Sequence, residues 1–113
     1  MQATRSFLLA GVVLATPMLF PRQAPPPPEA NYWIYVANES SDIVSRVRFG
    51  PDGIEEEKTI SVGWHPADLD GAHGLFVAPT GDHWYLSLAH GRPFGTIWKF
   101  ETGTDRFVDS TTV

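Results

Sequence analysis

The chain has 113 residues, 42% of them hydrophobic and 19% charged, with ten prolines, ten glycines, no cysteine and a formal net charge of −5. That length bounds it to one small domain or a piece of a larger one, and the lack of cysteine excludes disulfide frameworks, thiolate zinc sites, cysteine nucleophiles and CxxCH haem attachment. From Asn31 onward twelve acidic side chains stand against six basic ones, so nucleic-acid binding through a basic patch is not expected.

Six of the ten prolines precede residue 29, which sets the N-terminal region apart from the rest. Residues 1–20 are predicted to be a signal peptide or N-terminal anchor. Met1 to Arg5 carries one basic side chain, and Ser6 to Phe20 (SFLLAGVVLATPMLF) is an apolar run that matches the first two parts of a secretory signal. As a helix that run would span only about 22 Å, against a hydrocarbon core of roughly 30 Å. Small residues favour cleavage after Ala15; an uncleaved anchor would instead tether the chain to a membrane. Both outcomes place the folded part outside the cytoplasm: periplasmic, secreted or at the cell surface. Residues 21–31 are a proline-rich linker in which Pro25 to Pro28 favour an extended polyproline II spacer.

Residues 32–113 contain no long run with helical apolar spacing, and Gly, Pro, Asn or Asp punctuates them every eight to twelve residues. This is the rhythm of an all-β fold. The predicted strands are Tyr32 to Ala37, Ile43 to Phe49, Glu55 to Val62, Leu75 to Ala78, Trp84 to Leu88, Thr96 to Phe100 and Arg106 to Thr112. The first is apolar on both faces, which predicts cover on both. Glu55, Glu56 and Glu57 predict a solvated outer edge, where charge discourages strand pairing.

The two halves of this region match each other. Tyr35-Val36 falls on Tyr85-Leu86 at an offset of 50 residues; Val44, Arg46 and Val47 fall on Ile97, Lys99 and Phe100 at an offset of 53. Gly50 and Asp52 fall on Gly103 and Asp105, and Ile54 and Ile60 on Phe107 and Val113. A period near 50 residues built from short strands predicts β-propeller blades: blade one over 32–63, lacking its inner strand, and four-stranded blade two over 74–113. Two antiparallel blades cannot close a ring, so the chain is expected to be an N-terminal fragment of an incomplete propeller, with self-assembly as the alternative.

YVANESSDIVSRVRFGPDG, TISVG and HGLFVAPTGDHWYLSLAHG resemble the YVTN-type β-propeller repeats of extracytoplasmic proteins. His73-Gly74 falls on the His-Gly element of that repeat, Ala78 to Gly81 on its turn, and Tyr35-Val36 and Tyr85-Leu86 on its tyrosine strand. The resemblance covers residues 32–113 and implies the fold more than the function, because the wider group includes surface-layer proteins, lactonase-like enzymes and haem, quinone and copper oxidoreductases.

Chemistry-bearing residues gather in two long loops. His65, His73, His83 and His90 lie within 26 residues of one another, beside Asp68 and Asp70, and imidazole with carboxylate suits zinc, copper or iron. His73 and His90 are the candidate metal ligands, expected at one rim because they flank neighbouring antiparallel strands. Asp68 and Asp70 could act as acid and base or bind calcium, though loop aspartates commonly serve turn geometry. Arg92 could steer an anion. Trp33, Trp84 and Trp98 lie in predicted strands, where packing accounts for them, which leaves Trp64 as the ligand-facing tryptophan. No Gly-rich phosphate loop, GxSxG elbow or other catalytic motif is visible. The expectation is therefore an exported module that binds a small molecule or a protein through Trp64, His73, His90 and Arg92. The alternatives are a fragment of a periplasmic haem or copper oxidoreductase, or of a lactonase-like hydrolase.

Overall fold

The computed structural model describes residues 24–64, 67–90 and 93–113. The expected signal or anchor segment, the start of the linker, His65 and Arg92 lie outside the described residues. The described chain is all-β, with seven strands: β1 (Tyr32–Asn38), β2 (Ile43–Gly50), β3 (Gly53–Ser61), β4 (Ala72–Val77), β5 (His83–Leu88), β6 (Thr96–Glu101) and β7 (Phe107–Thr112). They form two antiparallel sheets, ordered β1-β2-β3 and β4-β5-β6-β7, and neither sheet closes on itself. Local chemistry explains the meander. β-branched and aromatic side chains fill the strands, and Gly53, at φ 105°, takes the left-handed conformation that closes the tight turn with Gly50.

The sheets pack face to face, and the core lies between them. Val44, Ile60 and Val62 from the first half are buried with Ala72, Trp84, Leu86, Leu88, Trp98 and Phe100 from the second. Trp84 is fully buried. It stacks on Phe100 at 4.0 Å and 6° and on Tyr35 of the first sheet at 5.0 Å and 29°. Burying one such aromatic ring contributes about 3 kcal/mol relative to leaving it in water.

A second tie between the sheets is polar. Asp105, in the β6–β7 turn, has φ 57°, a left-handed conformation that Asp tolerates better than most residues. Its carboxylate is wholly buried and accepts four hydrogen bonds. Tyr35 Oη donates at 2.8 Å, Arg46 Nη1 at 2.8 Å, Lys58 Nζ at 3.1 Å and Trp84 Nε1 at 3.2 Å. Three of the four donors come from the first sheet, so Asp105 pins it to the second.

Strand register refines the internal repeat. Tyr35 pairs with Arg46 as Tyr85 pairs with Lys99, which keeps the offsets of 50 and 53. Both sheets also carry an irregularity at the same place, between Arg46 and Val47 and between Lys99 and Phe100. Beyond that point the sequence match slips. Lys58 is the partner of Arg46 and Asp109 the partner of Lys99, so β3 and β7 correspond at an offset of 51. The sequence-based pairing of Ile54 with Phe107 and Ile60 with Val113 is therefore corrected. The physical reason is the hairpin: Phe107 lies seven positions after its partner Phe100, and Glu56 nine positions after Val47.

Two further expectations change. Among the described residues, β1 is covered on one face only, since Tyr32, Ile34 and Val36 remain exposed. The acidic run lies on an edge strand as expected, yet all three members are engaged, Glu56 accepting from Thr59 Oγ1 at 3.2 Å. Glu57 accepts from Trp33 Nε1 at 2.9 Å and pairs with Arg48 at 3.1 Å, and Glu55 pairs with Arg48 at 2.7 Å.

Asp105→Ala is expected to lower unfolding stability by about 3 kcal/mol or more, because it strands the cations that faced a buried acid. Asp52→Ala, in the corresponding turn but 86% exposed at its side chain, should cost roughly 0.5 kcal/mol or less. Urea midpoints check both, and equal small losses would remove Asp105 from this role. Burial first, and then the Asp105 carboxylate, push the Tyr35 phenol up to about 12. A group raised in the folded state contributes stability below its unfolded value near 10 and loses it as pH climbs through the folded one. The tyrosinate absorbance step that Tyr35→Phe abolishes should therefore lie near pH 12; a step at the ordinary value would mean an exposed phenol.

Candidate functional site

Strand direction brings the 3₁₀ turn Glu39–Ser41, the β3–β4 connection and the β5–β6 connection to one end of both sheets. A second aspartate organises this rim. Asp42 also adopts a left-handed conformation, at φ 47°, and its buried carboxylate accepts the backbone N–H groups of Asp70 at 2.6 Å and Gly71 at 2.8 Å. Asp70 in turn accepts the Trp64 N–H at 2.6 Å, while its carbonyl accepts the His90 N–H at 2.8 Å. Asp42 and Asp70 thus act as backbone clamps. Asp70 is buried in turn geometry while Asp68 stays exposed, an arrangement unlike a carboxylate pair shared by one ligand.

His73 at the start of β4 and His90 just beyond β5 converge on one acid from the other sheet. Glu39 Oε1 lies 2.8 Å from His90 Nε2 and 3.5 Å from His73 Nδ1. All three side chains are at least half exposed. The hydrogen bond to His90, supplemented by His73, holds the Glu39 carboxyl below the usual glutamate range. Gly71 lets the His90 ring lie against the backbone, since a Cβ there would collide with the ring. This trio can share a proton between carboxylate and imidazole and can offer donors and an acceptor to a polar ligand. Among the described residues, no group of three or more His, Cys, Asp or Glu is placed to hold a metal ion.

Trp64 stands at the same rim, 45% exposed, with its ring edge-on to Trp98 at 4.9 Å. It separates two clefts. One, of about 320 Å³, includes Ile43, Asp68 and Leu69; the other, of about 240 Å³, includes Pro93, Phe94 and Thr112. Trp98 Nε1, beneath Trp64, is buried with no acceptor among the described residues. Arg92, the remaining sequence-predicted site residue, and His65 lie outside the described residues. His83 is at the opposite end, paired with Asp82 at 3.0 Å.

Sequence reasoning missed Glu39, Leu69 and Phe94. The last two, 55% and 65% exposed, carried a usable signal: large apolar residues in connections longer than the strands require. Glu39 carried none, because it is 51 residues from His90 and meets it only when the sheets dock. The opposite end holds a cleft of about 390 Å³ lined by Trp33, Tyr35, Arg46 and Glu57. Trp33 is 54% exposed there, so sheet packing accounts for Trp84 and Trp98 but not for Trp33.

In a carboxyl NMR titration, Glu39 should turn over below the ordinary glutamate midpoint. Its depressed folded value means that the contact operates above the unfolded value and is lost as pH falls through the folded one. His90→Ala should bring the midpoint back up; an unmoved midpoint would disconnect the pair.

Comparison with family models, with curated proteins and with solved structures returns no match for this chain.

Proposed function

We propose that the chain carries two β-propeller-type repeat units of the YVTN kind and serves as an exported binding module whose site draws on Trp64, His73, His90 and Arg92. The repeat assignment is supported by register. Corresponding residues of the two sheets face the same direction along the stack, so the sheets pack front to back as successive blades do. On this assignment the three-stranded sheet is a blade without its inner strand, and export follows from the signal expected in residues 1–20.

The observation that carries the binding role is the placement of Trp64. A half-exposed tryptophan between two clefts, fixed by its backbone to Asp70, offers a flat apolar surface at the same end of the sheets as the polar Glu39, His73 and His90 group. Sites of this composition recognise ligands with an apolar ring or side chain next to a hydrogen-bonding group. Arg92, two positions after His90 in the sequence, is the cation assigned to this site.

The test is a screen of the labelled full chain against glycan and peptide arrays, followed by titration of each hit with Trp64→Ala and with His90→Ala. At least tenfold weaker binding in both variants is expected, about 1.4 kcal/mol, with urea midpoints showing that each still folds. Hits that bind both variants as tightly as the parent would place recognition elsewhere and overturn the proposal.

A further inference from the structure

Each sheet has two faces, and the described residues cover only one of each. The first sheet sends Tyr35, Val44 and Arg46 toward the second. Their register equivalents Tyr85, Ile97 and Lys99 point away from the first sheet, along the far face of the second. The second sheet receives the first on Trp84, Leu86 and Phe100. The equivalents of these three are Ile34, Val36 and Val47, on the far face of the first sheet. Among the described residues, each half of the internal interface therefore has a second version that stays uncovered.

Both unused halves are apolar. Ile34 and Val36 are 44% and 42% exposed, and Phe76, beside Tyr85 on the other far face, is 58% exposed. Shallow clefts of about 290 and 170 Å³ run along Phe76, Tyr85, Ile97 and Lys99. Each far face also carries charge. Lys99 and its cross-strand partner Asp109 lie on the second sheet's far face, and Glu56, cross-strand partner of Val47, lies on the first sheet's far face.

We infer that the far face of the second sheet in one copy docks on the far face of the first sheet in another copy, repeating between chains the front-to-back packing within one. Tyr85 and Lys99 take the places that Tyr35 and Arg46 hold inside the chain, and Glu56 is the acid on the receiving face. Such a contact joins unlike surfaces, so it propagates: it closes a ring if the rotation allows and otherwise extends a filament. The inference rests on the repeat assignment proposed above but not on the rim, which lies at the ends of the sheets rather than on their faces.

Sedimentation velocity on the full chain over a concentration series tests it. The parent is expected to associate beyond the 12.5 kDa monomer. Val36→Lys blocks one face and Phe76→Lys the other; both positions are exposed, and circular dichroism checks that each variant folds. Each variant alone should sediment as a monomer, because a buried lysine without a partner opposes docking. An equimolar mixture of the two retains one intact face of each kind and should give a species of twice the chain mass that grows no further. Trp64→Ala should associate like the parent, so loss of rim binding and loss of self-association are separately readable. A parent that stays monomeric throughout, or a dimer that persists in either single variant alone, would overturn the head-to-tail contact.

Discussion

A carboxylate removed from water needs donors, and Asp105 obtains all but one of its four from a different sheet. Each donor would be poorly placed without it: Arg46 and Lys58 are cations under partial burial, and the Tyr35 and Trp84 rings, stacked on one another, carry polar groups into the apolar core. Ionic networks of this kind often contribute little net stability, because desolvation offsets their Coulomb attraction. Their effect is on geometry. The aromatic stack of Tyr35, Trp84 and Phe100 resists separation of the sheets, while the three directional bonds that reach Asp105 from the first sheet oppose sliding. Everything at the rim inherits that alignment, including the meeting of Glu39 with His73 and His90 across the boundary between sheets.

At the rim end Asp42 plays a parallel part by a different route. Asp105 binds side chains; Asp42 binds backbone N–H groups at the start of the second sheet. Both residues have positive φ, and Asp suits both duties because a short side chain tolerates the left-handed region while its carboxylate reaches nearby donors. The pair forms one clamp at each end of the strands. Between them the contact is apolar and depends on shape.

Much of this was legible in the residues. Turn chemistry at Pro51 to Gly53, Ala78 to Gly81 and Thr102 to Asp105 marked the strand boundaries, and the offsets of 50 and 53 survive in the register because the three extra residues lie in the β5–β6 connection rather than in a strand. The slip to 51 was hidden, since Gly50 and Asp52 resemble Gly103 and Asp105 in sequence while the hairpins that carry them differ in length. For the same reason nothing separates Asp52 from Asp105 on paper, although one is solvated and the other is the centre of the interface. Apolar character on both faces of β1 indicated a surface suited to burial, and pattern alone cannot say whether the covering partner is supplied by the same molecule.

The span of the Asp105 network bears on how the molecule assembles in time. Its donors from the first sheet precede it by 70, 59 and 47 residues, so none of these bonds can be made by a local hairpin closing on itself. Each sheet can zip from its own turns, whereas their union waits for the β6–β7 turn to form. Non-local contacts of this kind slow folding, because the loop-closure entropy comes before the reward. As the chain is synthesised, the near face of the first sheet emerges early and stays wet until Asp105 follows. During that interval Tyr35 and Val44 are open to the same sticky encounters that the finished interface prevents.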